Sequence, residues 1–273
     1  MKRGLPICLA LLLVISSSLF AEDESAKDQT VTLTHKFSTN QTVRYKILQN
    51  ITGSRTFPGS DKPTPVNAEL KSVVRMRCDK VAEDGTATVS FEFESGTLKI
   101  GKRQTNAFVT PSAPRMLQVT PGGKVTFPPE EQQVGATSTR RVLMDAGAIE
   151  PLIILVGLPE APVSSGGSWL ADVVLPSTAK IRIASALNEV KEVAGEQAAV
   201  ITQTQTSFQD SSSPNRQDGQ SKLIFGIESG RLLWAEGSIH SIAAITTPRS
   251  GKEPATGTLT LDIKFKVETM KPS

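Results

Sequence analysis

From Ala87 to Glu94 the chain reads Ala-Thr-Val-Ser-Phe-Glu-Phe-Glu, apolar and polar residues in strict alternation. Strand side chains point to opposite faces in turn, so this stretch has a dry face (Ala87, Val89, Phe91, Phe93) and a wet one (Thr88, Ser90, Glu92, Glu94). The same period returns at Val31–Phe37, Val43–Ile51, Leu70–Val81, Trp169–Leu175, Ala179–Val193, Gln197–Phe208, Lys222–Ile227, Arg231–Ile245 and Thr256–Glu268. A chain patterned this way is confined to a mainly antiparallel β fold, here of about ten to twelve strands.

Turn residues set the pairing. Ser38-Thr39-Asn40-Gln41 predicts a hairpin over 31–52, and Glu83-Asp84-Gly85, Pro121-Gly122-Gly123 and Glu228-Ser229-Gly230 predict three more. Stretches 53–65, 209–221 and 246–255 read as loops. Helical signals gather only near 138–156: Ser138 or Thr139 can cap a start, Gly147 a stop, and Pro151 opens a second turn through Leu155. The expected fold is a curved antiparallel sheet, a half-barrel or two packed β-meanders, with one or two short helices at 138–156.

Leu158 to Trp169 (Leu-Pro-Glu-Ala-Pro-Val-Ser-Ser-Gly-Gly-Ser-Trp) interrupts the pattern. Two prolines and adjacent glycines forbid regular structure there. This divides the chain into a first β-rich half (31–157), a connector (158–168) and a second β-rich half (169–270). Trp169 is expected to be buried and to pin the connector. Three features recur in order in both halves, among them Gly123-Lys124-Val125-Thr126-Phe127 and Gly230-Arg231-Leu232-Leu233-Trp234. They suit either a duplication or hairpins of like composition.

Residues 1–21 read as a cleaved export signal, with Lys2 and Arg3 before an apolar run and small residues up to Ala21. Residues 22–30 read as a disordered polar leader. Removing Lys2 and Arg3 from the 30 basic residues leaves 28 against 27 acidic ones, a net charge of about +1 that gives nucleic acid no basic patch. Cys78 is then the one thiol left, so no internal disulfide is available and a core must hold the fold.

The inventory for chemistry is thin. Two histidines, His35 and His240, do not make a zinc set with one cysteine. Ser164-Ser165-Gly166-Gly167-Ser168 lacks the strand-to-helix elbow of a serine nucleophile. Arg75 and Arg77 fall on the strand face opposite Cys78, which reads as a buried structural thiol. Glu92 and Glu94 read as a solvated face.

The turn Asp84-Gly85-Thr86-Ala87-Thr88-Val89, the segment Gly123-Lys124-Val125, the connector Leu158–Trp169 and the segment Gly230-Arg231-Leu232 together resemble a family of exported bacterial proteins of unknown function. Proteins of that kind are similar in outline to the half-barrel carriers of bacterial lipoproteins. The resemblance implies a groove for an apolar ligand and no catalytic residue. The reading is therefore of an exported, extracytoplasmic, monomeric, non-enzymatic protein without metal or cofactor. It binds a lipid or acyl chain against Phe91, Phe93, Leu155 and Trp169. The alternative is an envelope-structural or protein-interaction module with a filled core.

Overall fold

The structure, a computed structural model, describes residues 30–57, 62–106, 115–127, 153–174, 180–208, 216–249 and 252–271. The export signal, all but the last residue of the polar leader, and the helix expected from 138 lie outside these residues. Of the second helical turn Ile153, Ile154 and Leu155 are described: the first two are helical and Leu155 is a bend.

Twelve strands are described: β1 (Thr42–Thr56), β2 (Thr64–Val81), β3 (Ala87–Ile100), β4 (Arg103–Asn106), β5 (Arg115–Val119), β6 (Val125–Thr126), β7 (Ser168–Val174), β8 (Lys180–Val193), β9 (Glu196–Phe208), β10 (Arg216–Gly226), β11 (Arg231–Arg249) and β12 (Lys252–Thr269). All pair antiparallel in one sheet of order β6-β5-β3-β2-β1-β12-β11-β10-β9-β8-β7, with β4 beside β3. Each half of the chain is a meander, and the halves join where β1 pairs with β12. The sheet curls into a nearly closed barrel. Of the two arrangements expected, the single curved sheet is the one formed.

The predicted hairpins at Gly85, Gly123 and Gly230 are present, and all three glycines take a positive φ. Three boundaries differ from expectation. Arg216–Ser221, and Thr246–Arg249 with Lys252–Ala255, read as loops for their polar and Gly/Pro content, are ends of long strands. Pro65 lies within β2, opposite Ser54 of β1.

The largest correction concerns residues 31–37. They do not pair with β1. Instead they run across one end of the barrel. Val31 and Val163 exchange both backbone hydrogen bonds, His35 N–H donates to Pro121 O, and Lys36 N–H donates to Gly230 O. The alternation of a strand is kept, with Val31, Leu33 and His35 buried. Their partners are hairpin turns and the connector, which no local pattern announces. This crossing segment and the connector together plug that end.

The connector also spans the gap between the sheet's two edges, β6 and β7. Leu158 N–H donates to Gly122 O beside β6, and Trp169 Nε1–H of β7 donates back to Gly157 O at 2.9 Å. Among the described residues there are five bulges, and four of them, at Glu94, Asp79, Asn188 and Leu233, fall in the plugged half of the barrel. Bulges bend and overtwist a strand, which is the deformation closure needs.

Candidate functional site: the interior of the barrel

Opposite residues in an antiparallel pair share a face, so the registers define rows running round the inside. Nearest the plug, one row runs Leu187-Ile201-Leu223-Ala235-Val267-Ile47-Ser72. Every member is buried, and all but Ser72 are apolar. The next row outward runs Trp169-Ser185-Gln203-Ser221-Gly237-Phe265-Gln49-Leu70-Leu98. The third runs Ala171-Ile183-Gln205-Gly219-Ile239-Ile263-Ile51-Ala68-Ile100.

The interior therefore changes character along its axis. At the plug it is apolar all round. Beyond it, β8 to β11 turn amide, hydroxyl and glycine positions inward, while β1, β2, β3 and β12 remain mostly apolar. The polar stretch separates Val173, Ile181 and Ile183 from the main core as a small cluster of their own.

Of the four residues expected to bind ligand, Phe91 and Leu155 belong to the main core, and Phe93 and Trp169 pack against that core half-buried. Leu155 alone of the four borders one of the two described cavities, a space of about 10 Å³ beside His35, Tyr45 and Arg231. The second cavity, about 20 Å³, lies farther out among Ile183, Gln203, Gln205, Ser221, Ile239 and Phe265. Trp169 is half-buried rather than fully buried, because its strand is an edge and only the connector covers it.

The sequence held the signal for the polar wall. Ser185, Gln203, Gln205, Ser207, Gln217 and Ser221 sit at positions whose parity faces inward, but without the registers that parity has no reference. Exposure rises toward the unplugged end. Val66 and Leu98 are half-buried on the inward face, and Ile100, also inward by register, is 50% exposed. The Arg55 guanidinium lies 3.9 Å over the ring of Phe57, itself 43% exposed.

The titratable candidates are held by the fold. His35 is buried, and its Nε2 lies 2.8 Å from Val156 O. Its ring stacks on Phe37 and meets Phe225 edge-on. Burial pushes its pKa down to about 4, against the pull of the Val156 and Gly230 backbone. His240 Nδ1 lies 2.8 Å from Asp262 on the cross-strand position. Burial pushes the Cys78 thiol up, and its Sγ–H points to Lys80 O. Arg75 binds Glu92, and Arg44 reaches Glu94 at 2.7 Å, so the wet face of β3 is an ion-pair strip. Among the described residues no three His, Cys, Asp or Glu side chains converge as metal ligands.

No family model matches the sequence, and no curated protein matches it. Among solved structures the chain is similar to lipovitellin, in a structure of its lipid–protein interactions, at 11% identity and a TM-score of 0.44. The likeness covers 87% of this chain and 26% of the lipovitellin chain, so this chain spans about a quarter of that protein.

Proposed function

We propose that the protein is an exported, monomeric, non-enzymatic binder of a lipid or acyl chain, held inside the barrel on the side away from the plug. One observation carries this reading. The inward face of β2 and β3 ends apolar, at Val66, Leu98 and Ile100, while losing its cover, so apolar surface is left for a ligand. Such surface, lining a concavity, is what an apolar ligand needs. The binding wall thus moves outward from Phe91 and Leu155 to these residues, with Phe93 and Trp169 at its inner limit. Among the described residues, neither His35 nor Cys78 is placed as a base or nucleophile. His35 is tied to Val156, and Cys78 is buried with a raised pKa.

The packed core around Phe91 and Leu155 favours a second reading, a structural or interaction module of the cell envelope. Native mass spectrometry of freshly purified, exported protein separates the two. A co-purifying lipid mass is expected, on a chain beginning near Glu22. Bare protein that also takes up no added fatty acid would sink the first reading.

A further inference from the structure

We infer that the amide wall of the outer interior is a recognition site for the acceptor oxygens of an amphipathic ligand, a carboxylate or an ester carbonyl at the head of an acyl chain. This rests on the ligand-binding reading above and narrows it.

The argument starts from which groups lack partners. Gln203 Nε2 donates to Ser185 Oγ at 3.1 Å, and Ser207 Oγ accepts from Gln217 N–H at 2.7 Å. Gln205 Nε2 and Gln217 Nε2, by contrast, are buried and meet no acceptor among the described residues. Both unmet groups are donors. A buried donor without a partner is costly, so two on one wall call for something that accepts.

The geometry fits a small oxygen group. Gln205 lies on the wall of the 20 Å³ cavity, a space the size of one or two oxygen atoms with their hydrogens. Its side chain lies over Gly219, where a Cβ would stand 2.9 Å from Gln205 Cγ and Nε2. Gly237 likewise leaves room for the Phe265 ring, which closes the cavity from the apolar side. Ile183, Ile239 and Phe265 line the same cavity, and the row continues past Ile239 through Ile263 and Ile51, which suits methylene groups. No Asp, Glu, Lys or Arg lies in the three rows traced above, so selection is by hydrogen bonding rather than charge.

The test uses three sixteen-carbon probes delivered from cyclodextrin: palmitic acid, methyl palmitate and hexadecane. Bound probe is counted after gel filtration, for the wild-type chain and for Gln205→Leu/Gln217→Leu. Wild type is expected to hold the acid and the ester about tenfold tighter than the alkane, the worth of one or two net hydrogen bonds. The double variant should bind all three within about twofold, by weakening the first two. Its melting temperature should not fall, since each leucine removes an unmet amide. Gln205→Met repeats the comparison if the double variant fails to fold. Equal binding of the three probes by wild type, or an acid preference that survives in the variants, overturns the inference and leaves lipid binding standing. Failure of every probe to bind overturns both.

Discussion

His35 shows how one side chain can hold three separate segments. Its backbone is bonded to Pro121, its ring to Val156, and its neighbour Lys36 to Gly230. The ring is neutral in the fold because charging it there would strand a cation against Phe37 and Phe225. Lys36, Tyr45 and Arg231 line the adjoining cavity, so no carboxylate among them offsets that charge. The folded pKa of about 4 lies below the ordinary 6.5 of the unfolded chain, so the unfolded state binds more protons between those values. Stability is therefore expected to be full above pH 6.5 and to fall as the pH drops toward 4, by roughly 3 kcal/mol from this group. Urea titrations from pH 7 to pH 4 check it. His35→Phe should be less stable at pH 7 yet lose less over the same range. Two glycines make a second test. Gly123, at φ 78°, would place a Cβ 2.1 Å from Val156 O, whereas Gly101, at φ 57°, has nothing within 4 Å. Gly101→Ala should cost about 1 kcal/mol, the strain of the left-handed backbone alone. Gly123→Ala should cost several times that, because the connector must move. Ala194 supplies the opposite sign. It stands at φ 56° in the two-residue turn before Gly195, and Ala194→Asn should raise stability by about 0.5–1 kcal/mol in thermal melts.

At the scale of elements, the connector acts as a clasp. Trp169 packs half-buried at the end of the sheet and gives its indole N–H to Gly157, while Gly157 fits under Ala171 of β7. Truncation to alanine is expected to cost about 2–4 kcal/mol, and Trp169→Phe, which keeps most of the packing, about 1. In a Trp234→Phe background, acrylamide should quench Trp169 to an intermediate degree, between free and fully shielded indole. These elements also mark how far the sequence could be read. Strand identity was legible almost everywhere because period two is local, as at Ala87–Phe91. Turns with glycine at positive φ were legible for the same reason. What was not legible is pairing at a distance. Val31–Phe37 had a strand's alternation, but its partners lie near Pro121, Val163 and Gly230, and the nearest turn, at Asn40, pointed to β1 instead. The four candidate residues are large and apolar, a property that marks a packed core as readily as a binding wall. Gln205 and Gln217 were passed over because polar residues at alternate positions read as loop margin or solvent face until the register turns them inward.

On the scale of the whole molecule the two ends of the barrel differ, and on the proposed reading the difference decides how a ligand gets in. One end carries the crossing segment and the connector, joined by the Val31–Val163 pair. The other carries the half-exposed apolar positions and the amide wall. If the interior fills from the unplugged end, fixing the plug should leave uptake unchanged. Val31 and Val163 exchange both backbone bonds at 2.9 Å, a pairing that sets Cα atoms about 5.5 Å apart, within the span of a disulfide. Cys78 is buried in the core and does not compete for the new thiols. Val31→Cys/Val163→Cys, once oxidised, closes a loop of more than 100 residues and should add about 2–5 kcal/mol to stability relative to its reduced form. Its uptake of palmitic acid should match that of the reduced form in both rate and amount. Uptake that stops on oxidation and returns with dithiothreitol would place the entrance at the plug. The crossing segment would then be a moving part, and His35, which fastens it to the connector, would be the contact that has to break.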